Sequence, residues 1–253
     1  MSAVEFRIEG HIAVMTINRP EARNALNGAV ADGLGAGFSE IERNPEIRCG
    51  ILTGAGGTFC SGMDLKAFVA GETINTRGIP FGGKDNAKVS KPLIAAVEGF
   101  VLAGGFELAL TCDLIVASRT AKFGLPEVKR GLVAAGGGLV HLPRQAPVRI
   151  ALEMALTGDP MDAETLHMHG VVNRLAPEGG ALVAAIALAE RIAENGPLAL
   201  AVTKKVITES LDWPASETFD RQTPFTAPIF RTADAREGAK AFAEKRKPNW
   251  TGA

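Results

Sequence analysis

Apolar and polar residues alternate from the start of the chain, with Val4, Phe6 and Ile8 set against Glu5, Arg7 and Glu9. Ile12, Val14 and Thr16-Ile17 continue the alternation after the turn at Gly10-His11, so the period of two predicts a β-hairpin. Asn18-Arg19-Pro20 breaks it. Residues 26–43 then read as an amphipathic helix, despite Gly28, Gly33 and Gly35, which weaken a helix interior by about 1 kcal/mol each. Residues 49–53 predict a short buried strand running into the flexible Gly54-Ala55-Gly56-Gly57. Residues 69–90 mix Gly, Pro, Thr, Asn and charges with no period, and predict the most mobile segment, in a position suited to covering a site. Residues 93–97 are apolar throughout and predict a strand buried on both faces, followed by a helix over 104–110 and a strand over 114–117.

This rhythm of loop, strand, loop and helix has no sequence repeat behind it and favours an α/β architecture with largely parallel strands. After Val171-Val172 the character changes. An Ala-rich helix is predicted over 180–194, a second over 197–210, and one or two more within 214–243. The chain is therefore expected to divide into a core over 1–196, carrying any site, and a helical subdomain over 197–253. Helices with apolar stripes and little sheet to rest on are suited to packing against another subunit.

Composition narrows the function. The 253 residues are 46% apolar and 22% charged, as in an ordinary globular protein, and 27 basic against 28 acidic side chains leave a formal net charge of -1. That balance supplies no general attraction to nucleic acid or to an acidic membrane surface, so neither partner is expected. An anionic ligand must be held by local cations or by helix N-termini. Cys49, Cys60 and Cys112 are odd in number and widely spaced, and read as buried free thiols in a reducing compartment. Residues 1–10 lack the apolar stretch of a signal peptide, and no apolar run approaches the roughly 20 residues of a membrane helix, so a cytoplasmic location is expected. His167-Met168-His169 does not match the spacing of a helical metal site, and no metal is expected.

Two junctions carry candidate chemistry. In Thr58-Phe59-Cys60-Ser61-Gly62-Met63-Asp64-Leu65 a glycine loop runs into a helix beginning near Asp64, leaving backbone N–H groups at a helix N-terminus. A plain turn with Asp64 as N-cap explains the segment equally well. In residues 101–110 a strand passes through the small residues Ala103-Gly104-Gly105 into a helix. One donor from each junction, converging on one carbonyl oxygen, would make an oxyanion hole, although glycines at such junctions are common without function. Glu107 lies in the first turn of a helix whose neighbours Phe106, Leu108, Ala109 and Leu110 are all apolar, so it must be paired, hydrogen-bonded or functional; the competing account is favourable placement in the helix dipole. Glu127 follows Pro126, and spacing alone favours a first-turn structural glutamate slightly over a catalytic one.

Taken in order, the motifs resemble the crotonase (enoyl-CoA hydratase/isomerase) superfamily over nearly the whole chain. They are Asn18-Arg19-Pro20 with Asn24-Ala25-Leu26, Phe59-Cys60-Ser61-Gly62-Met63-Asp64-Leu65-Lys66, and Lys91-Pro92 with Ile94-Ala95-Ala96-Val97. Ala103-Gly104-Gly105-Phe106-Glu107-Leu108-Ala109 with Cys112-Asp113 is the most diagnostic stretch. Phe123-Gly124-Leu125-Pro126-Glu127, Gly136-Gly137-Gly138 and Arg236-Glu237-Gly238 through Arg246 follow.

The resemblance implies a ββα spiral core and reversible hydration of a 2-trans-enoyl-CoA. By that likeness the N–H groups of Met63 and Gly104 would hold the thioester oxygen, Glu107 would act as base and Glu127 as acid. Met63 stands where many relatives carry Ala, and Ala103 replaces the first glycine of a more usual triple, so its fit depends on φ. Both glutamates match the hydratase members, whereas isomerases typically keep one or neither. The likeness also implies coenzyme contacts at Ala22, Arg23, Ser61, Asp64, Leu65 and Lys66, with Lys245 reaching in from a neighbouring subunit. Relatives often carry Lys where Glu21 stands, and Arg23 is the candidate to compensate. Coenzyme A enters as part of the substrate, no separate cofactor is implied, and the expected assembly is a homotrimer or dimer of trimers. Residues 125–131 and 243–250 also resemble carnitinyl-CoA dehydratase-like members. An enoyl-CoA isomerase is a weaker alternative. A non-catalytic member, of the kind that binds AU-rich RNA, is disfavoured by the neutral charge and the lack of a basic, aromatic-interleaved stretch.

Overall fold

The computed structural model describes residues 2–81 and 86–253, so part of the aperiodic segment over 69–90 lies outside the described residues. The opening hairpin forms as the alternation predicts: β1 (Val4–Glu9) pairs antiparallel with β2 (Ile12–Ile17), Val4 opposite Ile17. A 3-10 turn at Pro20–Ala22 leads to α1 (Gly28–Arg43). This helix begins two residues later than the periodicity predicts, because Leu26 is held in a bridge to Met63 and Asn27 is the cap, its Oδ1 accepting from Val30 N–H at 3.1 Å. Next come β3 (Cys49–Gly54), α2 (Leu65–Val69), β4 (Leu93–Val97), β5 (Phe100–Leu102), α3 (Gly104–Thr111), β6 (Leu114–Ser118) and β7 (Lys122–Gly124). A 3-10 turn at Pro126–Arg130 precedes α4 (Gly138–Gln145), α5 (Val148–Thr157), β8 (Met161–Asp162), α6 (Ala163–Met168), β9 (Arg174–Ala176) and α7 (Ala181–Ala193).

The main sheet has six strands in the order β1-β2-β3-β4-β6-β9, parallel throughout except for the opening hairpin. A smaller sheet, β5-β7-β8, stands apart from it. Strands β3 and β4 are apolar on both sides because both faces are covered. Ile51, Ile94 and Val116 meet Ala185, Leu188 and Ala189 of α7 on one face, while Leu52, Leu93, Ala95 and Val97 join Leu34, Phe38 and Ile41 of α1 in the larger core on the other. The alternation of side chains along a strand thus sorts neighbouring residues of β4 into two different cores.

Two loops are tied down by polar side chains. Asn24 is fully buried at φ 55°, a left-handed conformation that asparagine tolerates better than most residues. Its Nδ2 donates to Ala55 O at 2.8 Å and Thr58 O at 2.6 Å, and its Oδ1 accepts from Arg19 N–H at 2.8 Å, stitching the loop before α1 to the loop after β3. Residues 70–81 and 86–90 contain no helix or strand, yet Ile79, Phe81 and Val89 are buried in the larger core. Glu72 accepts from the Gly28 N–H at 2.5 Å, and Ser90 N–H donates to Glu42 Oε2 at 2.8 Å.

The chain then continues through α8 (Pro197–Ser210), a 3-10 turn (Ala215–Glu217), α9 (Thr218–Ile229) and α10 (Ala233–Glu244). Lys204 of α8 pins this region to the core, donating to Lys91 O at 2.9 Å and pairing with Asp113 at 2.8 Å. Otherwise α8 and α9 contribute no buried residue among the described residues, and Ile207, Leu211, Phe219 and Phe230 stand exposed. The three cysteines are buried and unpaired, and burial pushes the Cys49 and Cys60 thiols up to about 12, which keeps them protonated and unreactive at neutral pH. No helix among the described residues is long and apolar enough to cross a membrane.

Candidate active site

The two strand-to-helix junctions lie side by side. Cys60 N–H donates to Phe100 O and Leu102 N–H to Cys60 O, each at 3.0 Å, forming an isolated parallel bridge between Cys60 and Val101. A second bridge joins Leu26 to Met63, with Leu26 N–H bound to Gly62 O and Asp64 N–H to Leu26 O, both at 2.8 Å. In a parallel pair the bonds go to the residues flanking the partner, so the Met63 N–H points away from Leu26. Gly104 opens α3, where an N–H has no intrahelical acceptor. Neither donor makes a hydrogen bond among the described residues. The junctions touch: a β-carbon on Gly62 would lie 2.5 Å from Ala103 Cβ and 3.4 Å from Gly104 N. Two spare donors on touching loops suit the stabilisation of one developing oxyanion.

Ala103 controls how the second donor is aimed. It caps α3 with φ 51° and ψ −129°, a conformation costing an L-residue with a β-carbon about 1–3 kcal/mol. Its N–H donates to Gly124 O at 2.8 Å, and its carbonyl accepts from Phe106 N–H at 2.8 Å and Glu107 N–H at 3.0 Å. These bonds hold the strained peptide and orient the plane that carries the Gly104 N–H. The glycine that the motif more usually carries here would adopt the same angles at far lower cost.

Glu107 projects from the first turn of α3 into an interior where only 5% of the residue remains exposed. Its Oε1 accepts from Gly138 N–H at 2.9 Å, and the Gly136 backbone also donates to the carboxylate. The Gly136-Gly137-Gly138 turn at the head of α4 fits against it: a β-carbon on Gly136 would lie 2.7 Å from Oε2, and one on Gly138 would lie 3.1 Å from Cγ. Burial is the largest influence on this group and pushes its pKa above the usual glutamate value; the glycine N–H donors and the nearby His141 pull the other way.

Glu127 sits in the 3-10 turn after β7, with Pro126 at the first helical position as the sequence suggests. It is half-buried, and burial raises its pKa first, the charge of Glu107 adding to the rise; its own backbone N–H and Arg130 oppose it. The two carboxyls, 20 positions apart in sequence, are therefore brought within electrostatic reach of each other. The Oε2 atom of Glu127 is buried without a hydrogen-bond partner among the described residues. Beside it lies a cavity of about 30 Å³ walled by Leu125, Val128, Val133, Ala134, Leu139 and Ala155, roomy enough for a water molecule.

The other residues singled out from the sequence fall mostly along one rim. Ser61 N–H donates to Arg23 O at 3.1 Å, and the Arg23 guanidinium stacks 5.8 Å over the Phe100 ring, leaving Ala22, Arg23 and Ser61 next to the Met63 junction. Asp64 caps α2 as expected, accepting from Lys66 and Ala67 N–H at 3.1 and 3.3 Å, and Arg19 pairs with it at 3.1 Å. Those bonds hold its carboxyl below the usual range. Leu65 and Lys66 are exposed in the first turn of α2. Lys245 lies elsewhere, at φ 54° as the C-cap of α10, and no hydrogen bond, ion pair or ring contact joins it to this rim among the described residues. Sequence reasoning gave no role to Gly136, Gly138, Arg19 or His141; three successive glycines before a helix were the one visible signal.

The model of the family described as enoyl-CoA hydratase/isomerase matches residues 7–253. Enoyl-CoA hydratase EchA19 of Mycobacterium tuberculosis is 41% identical over 254 residues, covering 95% of this chain and 93% of that protein. A carnitinyl-CoA dehydratase of Citrobacter koseri is 37% identical over 258 residues, covering 99% and 98% of the two chains. Among solved structures, enoyl-CoA hydratase EchA1 of Mycobacterium marinum superposes with a TM-score of 0.96 at 53% identity over the whole of both chains. The crotonase-type fold expected from the motifs is thus the fold observed.

Replacing Ala103 by glycine relieves the strained cap and loosens the unfolded chain, so the net expected gain in unfolding free energy is about 1 kcal/mol. Urea denaturation measures it, and a loss of stability would show that the cap is not strained.

Proposed function

The chain belongs to the enoyl-CoA hydratase/isomerase family, enzymes of acyl-CoA thioesters, and from that premise we propose that it adds water reversibly across the C2–C3 double bond of a 2-trans-enoyl-CoA. The observation that carries the proposal is the pair of carboxyls, both shifted upward by burial, one with an oxygen that has no partner among the described residues and lies beside a water-sized cavity. Two carboxyls coupled in this way repel, which favours one ionised and one protonated form, the condition for paired acid–base chemistry.

In the proposed reaction the thioester oxygen accepts from the Met63 and Gly104 N–H groups, drawing electron density from C3. Glu107 takes a proton from water as its oxygen bonds to C3, and charge develops on the thioester oxygen as an enolate. Glu127 then gives its proton to C2, and the thioester carbonyl is restored. Glu107 ends protonated and Glu127 ionised, so the same steps run backwards as dehydration. Water, two carboxyls and two N–H donors complete the chemistry, with coenzyme A as the carrier of the acyl group and no separate cofactor. Ala22, Arg23, Ser61, Asp64, Leu65 and Lys66 form the proposed coenzyme rim; Arg23 and Lys66 supply its cations, and Asp64 shapes α2 rather than meeting phosphate.

The runner-up, a carnitinyl-CoA dehydratase-like lyase, has the 37% identical relative in its favour. It would run β-elimination with the same two carboxyls, so the two readings differ in the acyl group accepted rather than in the chemistry of the pair.

We also read the protein as a cytoplasmic homotrimer or dimer of trimers, with residues 1–196 as the site-bearing core and 197–253 as the assembling subdomain. The exposed Ile207, Leu211, Phe219 and Phe230 support that reading, since such side chains gain from a partner's cover. In this assembly Lys245 would serve a neighbouring site.

With a panel of enoyl-CoA thioesters, the protein is expected to consume the conjugated thioester absorbance, and Glu107→Gln and Glu127→Gln are each expected to lower kcat by about 10²–10⁴. Wild-type turnover in either variant would remove that residue from the mechanism, and turnover confined to carnitinyl- or crotonobetainyl-CoA would favour the runner-up. Light scattering is expected to give a mass that is a multiple of three chains; a monomer would end the assembly reading.

A further inference from the structure

We propose that His141 is a positioning residue for Glu107: it latches the glycine turn that grips the carboxylate onto the segment 70–81. The proposal rests on the reading of Glu107 as the base, and it starts from four contacts that meet at one point. Gly138 N–H donates to Glu107 Oε1 at 2.9 Å. His141 follows one turn later in α4, its N–H bound to Gly137 O at 2.8 Å. Its imidazole folds back over that turn, so that a β-carbon on Gly137 would lie 2.7 Å from His141 Cδ2 and 2.9 Å from Nε2. Finally, His141 Nε2 lies 3.0 Å from Phe81 O. A carbonyl only accepts, so Nε2 carries the proton and donates.

The far side of the latch is anchored. Phe81 and Ile79 are buried in the larger core, and Gly78 packs against Gly35 of α1, where a β-carbon would lie 2.6 Å from the Gly35 Cα. The Gly136-Gly137-Gly138 turn, by contrast, has no side chains of its own to fix it, and glycine backbones are the least constrained by local sterics. Its grip on Glu107 must come from outside the turn. His141 supplies that grip from within the same helix, through its hydrogen bond to Phe81 O. A hydrogen-bond donor of the right length is the property the latch requires.

Gln and Met match His141 in bulk but differ in that only Gln donates, and the site is half-buried, so the two variants separate donation from packing. His141→Met is expected to lower kcat about tenfold with KM within about twofold of wild type, while His141→Gln stays near wild type. In parallel, hydrogen exchange read by mass spectrometry in a peptide spanning residues 136–142 is expected to quicken in His141→Met and not in His141→Gln. Equal kcat or equal exchange in the two variants would overturn the latch. If the wild type turns over no enoyl-CoA, the hydratase reading has failed, and the exchange comparison alone decides the latch: faster in Met keeps it, equal rates overturn it.

Discussion

The hydrogen bond from Gly138 N–H to Glu107 is the contact on which the site depends. A carboxylate taken out of water must regain its lost hydration from fixed dipoles, and here the donors are backbone amides of a glycine turn at the head of a helix. The requirement propagates outward. Gly136 and Gly138 must lack side chains because the carboxylate occupies the space, and α3 must meet the turn closely enough for Glu107 to reach it. The position of α3 is set in turn by β5, which pairs with β7 and is bridged at Val101 to Cys60. The same β7 leads directly into the turn bearing Glu127. One small sheet therefore sets the relative positions of both carboxyls and of the two spare N–H donors.

The site is built at a cost in stability. Ala103 holds a left-handed φ of 51°, two carboxyls have their ionised forms disfavoured by burial, and one Glu127 oxygen lacks a partner among the described residues. For both glutamates the sign follows from the upward shift. The protonated form suits the fold, so their contribution is most favourable below the ordinary value of 4.5 and is lost as pH rises through the higher folded values. Such local costs, concentrated at one place and offset by the cores on both faces of the main sheet, are what a preorganised site entails.

The elements with a clear period were legible. The hairpin, α1, β3, β4, α3 and the helices from α7 onward follow from alternation, buried runs and amphipathic stripes. Helices α4 to α6 and strands β7 to β9 were not. Pro143 lies inside α4, its first residue follows two more glycines, and β8 is two residues long, so no window there carries a readable period. Glu107 stood out because a lone acid in an apolar helix demands an explanation. Glu127 did not, since its coupling to Glu107 depends on the packing of distant segments. The contacts of His141 and Asn24 were hidden for the same reason: their partners, Phe81 O, Ala55 O and Thr58 O, are backbone atoms without a sequence signature.

Glu107 and Glu127 are expected to titrate as an upward-shifted pair in which the charge of one raises the other. Side-chain carboxyl ¹³C NMR across a pH titration, on wild type and on Glu107→Gln, tests it directly. Both groups are expected to titrate above the ordinary 4.5 in the wild type, and the Glu127 midpoint is expected to fall once the Glu107 charge is removed. A Glu127 that titrates at the ordinary value and does not move in the variant would contradict it.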